Sequence, residues 1–218
     1  MCALKETNFF TGPEEPAHAD PDTWWRDGQW HRGLEWYTSL FDADAPVRGE
    51  ASPGYTSPGN CRAPERMARV VPEARLLYLV RDPVERAISQ YEHHVRDGTE
   101  HRPVEEAILD LGSQYLSRGR YFDRLAPFLR HFDELQIHVV VLEQLRDHRR
   151  RELTTVFEHV GADPSWWGSA LERHWHVGHR AHSPSRRLRR AVLDRVGDDV
   201  AKLRAFLDDD LAAWDGPD

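Results

Sequence analysis

The chain has 218 residues, 39% of them hydrophobic, enough to bury one ordinary core, and its length predicts a single domain over 1–218. A formal net charge of −8 excludes general nucleic-acid binding, which needs a basic surface to neutralise phosphates. The two cysteines, Cys2 and Cys61, make no disulfide framework, and no long apolar run reads as a signal peptide or a membrane span, so the expectation is a cytoplasmic protein without a membrane partner.

In chain order, MCALKETNFF opens without a strand or helix of its own. Residues 11–32 are rich in Pro, Gly, Asp and His and read as a loop. Trp24, Trp25 and Trp30 within it can pack or line a cleft, and packing is the simpler role. Gly33 to Phe41 sets Leu34, Trp36, Tyr37, Leu40 and Phe41 on a helical stripe. A Pro/Gly/Ser-rich connection, GEASPGYTSP over 49–58, leads to a short helix over Ala63 to Val70.

The best determined stretch is LLYLVRDPVERAISQY, Leu76 to Tyr91. Leu76 to Val80 is a continuous apolar run, the pattern of a parallel strand covered on both faces. Asp82 is a good N-cap and Pro83 suits the first helical position, so a helix over 83–96 starts at once. In open α/β sheets ligands bind beyond the carboxyl ends of strands, where a helix N-terminus offers free N–H groups to an anion. Arg81 adds a permanently charged, forked donor at that place. The plainer reading pairs Arg81 with Asp82 or Glu85 as a structural ion pair.

A helix follows over Val104 to Leu111. Tyr115 to Phe132 is amphipathic, with Tyr121, Leu125, Phe128, Leu129 and Phe132 recurring every three or four residues. Ile137 to Leu142 reads as a second strand, parallel to the first because a whole helix intervenes. Leu153 to Val160 is a helix ended by Gly161, and Asp163 to Trp167 begins a new element with Pro at its first turn. Two helical stretches, 185–195 and 198–207, follow HWHVGHRAHSPSRR. His174, His176, His179 and His182 invite a metal site, but paired cysteines and the helical i, i+4 spacing are both missing, so no metal is expected. Arg186, Arg187, Arg189 and Arg190 look like the solvated face of a helix. The alternation of strands and helices predicts an α/β fold, a parallel sheet flanked by helices.

Arg-Asp-Pro followed by Arg86, Ser89 and Tyr91 resembles the 3′-phosphate-binding motif of the sulfotransferases that use 3′-phosphoadenosine 5′-phosphosulfate (PAPS), and the likeness extends along nearly the whole chain. KETNFF is similar to that family's acidic-x-x-Phe-Phe segment, GLEWY to its Gly-x-x-Trp-Tyr helix, and GEASPGYTSP to the connection before the phosphate-binding strand. SRGRY, Ser117 to Tyr121, resembles the opening of the next long helix, GHRAHSP the late basic loop, and DDVAKLRAFLDDDLAAW the terminal helix of bacterial members. The branch it most resembles holds the heparan sulfate N- and 3-O-sulfotransferases and their bacterial relatives. This implies a P-loop NTPase-like sulfotransferase fold and sulfuryl transfer from PAPS, without a metal, to a hydroxyl or amine of a small-molecule or carbohydrate acceptor. It places Arg81 and Ser89 on the 3′-phosphate, His179, Arg180, Ala181 and His182 in the loop that closes on the nucleotide, and Glu6 as the base that takes the acceptor's proton.

The pattern also departs from the family. Asn8 and Thr11 stand where some heparan-modifying members carry a histidine and an acidic residue, and Ala51 stands where they carry a substrate-contacting lysine. The Gly-rich loop that cradles the 5′-phosphosulfate has no counterpart, since neither Lys5 nor Lys202 follows the required glycines and the first glycine is Gly12. The expectation is a fold missing its first strand and phosphate loop, through a misplaced start or a real deletion. An open edge or unfilled slot beside the Leu76 strand, weak binding of adenosine 3′,5′-bisphosphate and poor transfer would follow. The alternative function is therefore that of an N-terminally truncated, non-catalytic sulfotransferase-like binding protein. A kinase or GTP-binding protein on the same kind of sheet is a further reading, but Arg-Asp-Pro is not its signature.

Overall fold

Two strands, β1 (Leu76–Val80) and β2 (Ile137–Val141), pair in parallel as expected, in a register running from Leu76 opposite Ile137 to Val80 opposite Val141. They form the two-stranded sheet of a computed structural model that describes residues 2–14, 28–59, 62–173 and 182–215. Around them, among the described residues, lie α1 (Gly33–Ser39), α2 (Ala63–Val70), α3 (Pro83–Arg96), α4 (Val104–Leu109), α5 (Gln114–Ser117), α6 (Tyr121–Leu129), α7 (Leu142–Asp147), α8 (Arg149–Val160) and α9 (Arg186–Leu207). No described helix is long and apolar enough to cross a membrane.

The apolar interior has two parts that meet at the sheet. One gathers Val80, Val84, Ile88 and Tyr91 with Val192, Val196, Val200 and Leu203 of α9 and with Trp214 of the C-terminal tail. The other gathers Phe9, Phe10, Tyr37, Tyr55, Met67, Leu125 and Phe128. Tyr78 and Val139, opposite each other on the same sheet face, pack against both.

Several expectations are corrected. β1 is covered on one face only: Val80 is 1% exposed, whereas Leu77 and Leu79 are 46% and 57% exposed. The period of two sends those leucines to the face where α8 lies over β2, with the His159 ring tilted against His138 at 5.4 Å and reaching β1 only at the Leu76 carbonyl oxygen. The amphipathic run 115–132 is two helices, not one, because the Asp199 carboxylate of α9 accepts from the Phe122 and Asp123 N–H groups and starts α6 afresh. Conversely, 185–195 and 198–207 are one helix. Gly197 lies inside α9, where an added Cβ would meet nothing, and burial of Val192, Val196, Val200 and Leu203 on either side of it holds the helix through that weak point. α8 begins at Arg149 rather than Leu153, and Gly161 closes it in the left-handed conformation, φ 72° and ψ 26°. α4 ends at Leu109, and Asp163 to Trp167 makes only a turn, its Asp163 carboxylate accepting from Ser165.

Candidate functional site

At the end of β1 the chain turns into α3 as the local signals require, but the helix N-terminus is not open to a ligand. Asp82 Oδ1 accepts from the N–H groups of Val84 at 2.7 Å and Glu85 at 3.2 Å, Pro83 has none to offer, and Arg86 N–H already bonds Asp82 O. The expected free N–H groups are therefore occupied by the cap itself. Nor does Arg81 make the structural ion pair with Asp82 or Glu85: Asp82 is bonded to Arg189 at 2.6 Å, and the Arg81 guanidinium donates to the backbone oxygen of Glu85 at 2.7 Å. The anion-binding capacity of this junction lies instead on the flank of α3.

Along that flank the helical repeat aligns Arg81's anchor at Glu85 with Ser89, one turn on, and then with Glu92. Ser89 is exposed. Glu92 Oε1 accepts from the backbone N–H of His182 at 2.7 Å, and the His182 ring lies edge-on against Tyr91 at 5.6 Å. The structure thus brings Arg81, Ser89 and His182 to one side of one helix, over roughly 10 Å of axis. His179, Arg180 and Ala181 lie outside the described residues, as do His174 and His176.

Two further arginines join Arg81. Arg86 donates to Gln90 Oε1 at 2.7 Å and to the carbonyl oxygen of Tyr115. The loop carrying Arg118 lies flat on the first turn of α3, since a Cβ on Gly119 would come within 3.5 Å of Pro83 Cβ and 3.7 Å of Arg86 Nε. Among the described residues none of the three guanidiniums has a carboxylate within ion-pair distance, and the Nε groups of Arg86 and Arg118 are buried without a partner. Burial pushes Arg86 down to about 10, and the neighbouring positive charges of Arg81 and Arg118 push the same way. Burial also lowers Arg81 and Arg118. Glu143 and Asp82 act on Arg81 from farther off, but three partly desolvated cations without an ion-paired carboxylate are unfavourable together and are complemented by an anion with several oxygens.

Glu6 stands apart from this group, and no contact among the described residues joins it to Arg81, Arg86 or Arg118. Its carboxylate lies 3.6 Å from Lys5 at the surface. Its backbone is held at φ 56°, and Asn8 at φ 47°; asparagine takes the left-handed conformation readily, but for Glu6 it is imposed by the surroundings. The surroundings are a hydrogen-bonded knot. Glu50 accepts from Ser52 Oγ at 2.8 Å and from the Tyr55 hydroxyl; Ser52 Oγ in turn accepts from Asn8 N–H, and the Tyr55 oxygen from Phe9 N–H.

A profile of the sulfotransferase family matches residues 13–166, most of the described chain and all of the β1–α3 junction. The chain belongs to the sulfotransferase family. Among curated sulfotransferases it is 31% identical over 129 residues to the bifunctional heparan sulfate N-deacetylase/N-sulfotransferase 1 of Caenorhabditis elegans, covering 53% of this chain and 15% of that one. It is 29% identical over 145 residues to the mouse heparan sulfate glucosamine 3-O-sulfotransferase 3A1, covering 62% and 36%. The chain thus spans well under half the length of these relatives. A sulfotransferase from Alicyclobacillus acidocaldarius has the same fold, with a TM-score of 0.76 at 24% identity over 99% of this chain and 87% of that one.

Within this sulfotransferase domain, sequence reasoning missed Arg118 beside Arg86 and the Glu50 knot that holds the segment carrying Glu6, and left Arg86 without a role. The signal for Arg118 was the glycine after it, which permits the close approach to Pro83. For Glu50 it was the spacing Glu-x-Ser-x-x-Tyr, which closes a carboxylate, a hydroxyl and a phenol on one another.

Proposed function

We propose that the chain binds PAPS and transfers its sulfuryl group to a hydroxyl or amine of a carbohydrate acceptor. The observation that carries this reading is the set of three half-buried arginines beside the start of α3, none of which has a described carboxylate within ion-pair distance. They fit the 3′-phosphate that distinguishes this donor from ordinary adenosine nucleotides, with Ser89 able to donate from the next turn. The heparan-sulfate relatives support a carbohydrate acceptor. When bound, the donor supplies the activated sulfuryl group. The chain's own residues position and stabilise: Arg81, Arg86 and Arg118 hold the 3′-phosphate oxygens, His182 borders the same flank, and Glu6 takes the acceptor's proton. No metal enters this scheme.

Calorimetry with adenosine 3′,5′-bisphosphate and adenosine 5′-monophosphate tests the site, because the two differ only in the phosphate at issue. A preference of about 10- to 100-fold for the bisphosphate is expected, the scale of one or two charge-assisted hydrogen bonds, and Arg81→Ala should abolish it. Equal affinities would sink the assignment. Glu6→Gln should leave both affinities unchanged while lowering transfer to an oligosaccharide acceptor by about 100-fold or more, the usual scale for a general base. A wild-type chain that binds the bisphosphate selectively but transfers nothing is the non-catalytic binding protein.

A further inference from the structure

The end of the chain returns to the start of α3 and closes a ring of hydrogen bonds around residues 81 and 82. Asp82 spends one carboxylate oxygen on its own helix and the other on Arg189 Nη2 at 2.6 Å. The same guanidinium, through Nη1, donates to the carbonyl oxygen of Trp214 at 2.9 Å. The indole N–H of Trp214 donates to Glu143 Oε2 at 3.0 Å, and Glu143 Oε1 accepts the backbone N–H of Asp82 at 3.1 Å. The path from Asp82 through Arg189, Trp214 and Glu143 therefore ends where it began. Arg81 is gripped from the other side, its carbonyl accepting from the Tyr121 hydroxyl at 2.8 Å, and the Trp214 ring packs on that tyrosine at 5.9 Å.

The tail is held in this place against its own preferences. Asp208 and Leu211 adopt φ 51° and 49°, left-handed values that are costly for a leucine. Gln144 of α7 fixes the bend through Asp209 at 2.6 Å. Trp214 is 1% and Leu211 2% exposed. Apolar side chains could fill the same space without buried charges, and buried ion pairs are poor sources of stability, yet they impose one orientation on the groups they join. What this ring orients is the backbone that carries Arg81.

We propose that the C-terminal tail is a latch for the nucleotide site, with Arg189 and Trp214 as positioning residues that fix Arg81 against the 3′-phosphate. This rests on the reading of Arg81 given above. Trp214→Phe removes the indole N–H while keeping an aromatic ring. Arg189→Lys keeps the charge but cannot fork to both Asp82 and the Trp214 carbonyl. In each variant the ratio of bisphosphate to monophosphate affinity, measured by calorimetry on the full chain, should fall about five- to tenfold, one lost or misaligned charge-assisted hydrogen bond, with monophosphate affinity unchanged. Arg120→Ala is the control for stability alone, since it cuts half-buried pairs to Asp123 and Asp198 and the bond to Arg195 O, none of them in the ring, and it should lower the melting temperature while keeping the wild-type ratio. A ratio that survives both Trp214→Phe and Arg189→Lys overturns the latch while leaving the site intact. A wild-type chain that does not discriminate between the nucleotides overturns the site and the latch together.

Discussion

If Arg118 holds the nucleotide as proposed, it trades stability for binding at the scale of one residue. Its Nε is buried without a partner, burial lowers its affinity for a proton, and its charge presses on Arg86. A methionine would keep most of the stem's packing and remove the buried charge. Arg118→Met should therefore stabilise the ligand-free fold by about 1 kcal/mol in denaturant titration. The same variant should lose much of the melting-temperature increase that adenosine 3′,5′-bisphosphate gives the wild type, since a weaker ligand stabilises less. If Arg118→Met were destabilising without ligand and equally stabilised by it, the side chain would be an ordinary structural arginine.

At the scale of elements, α9 is the piece that ties distant parts together. It supplies Asp199 to start α6 and Arg189 to hold the cap of α3, and it does so as one continuous helix of 22 residues. Gly197 is its weak point, because glycine in a helix interior gives up more chain entropy than alanine. Nothing lies within 4 Å of a Cβ built there, so Gly197→Ala should stabilise by about 0.5–1 kcal/mol, read as a rise in melting temperature. A fall would mean that the helix needs to bend at that position. These cases also show what the sequence made legible. The β1–α3 junction was readable because its signals are local: a five-residue apolar run, an aspartate at the cap and a proline at the first turn. The break before α6 was not, because the capping carboxylate comes from 76 residues away. The role of Arg189 was likewise hidden, since its partner Asp82 is 107 residues distant and the arginine run around it resembles a solvated face. The closed N-terminus of α3 was misjudged for the opposite reason: the same aspartate that announced the helix also used up its N–H groups.

For the whole molecule, the sheet joins two apolar clusters through one face, that of Tyr78 and Val139, and leaves the other face of β1 to solvent. A conventional core strand would lose several kcal/mol if a charge were placed at either kind of position. Here the two faces should respond differently. Val80→Glu puts a carboxylate where the side chain is 1% exposed and should unfold the chain, whereas Leu79→Glu, at 57% exposure, should change stability by no more than about 0.5 kcal/mol, as surface substitutions generally do. The second variant should also delay aggregation on heating. An exposed apolar strand at the edge of a two-stranded sheet, as β1 is among the described residues, is a template for pairing between molecules, and one more negative charge on a chain that already carries −8 adds repulsion at that spot. Denaturant titration gives the first quantity and light scattering during a thermal ramp the second. If Leu79→Glu proved as damaging as Val80→Glu, Leu79 would be buried in solution by a contact that the described residues do not contain, and the one-sided account of β1 would fall.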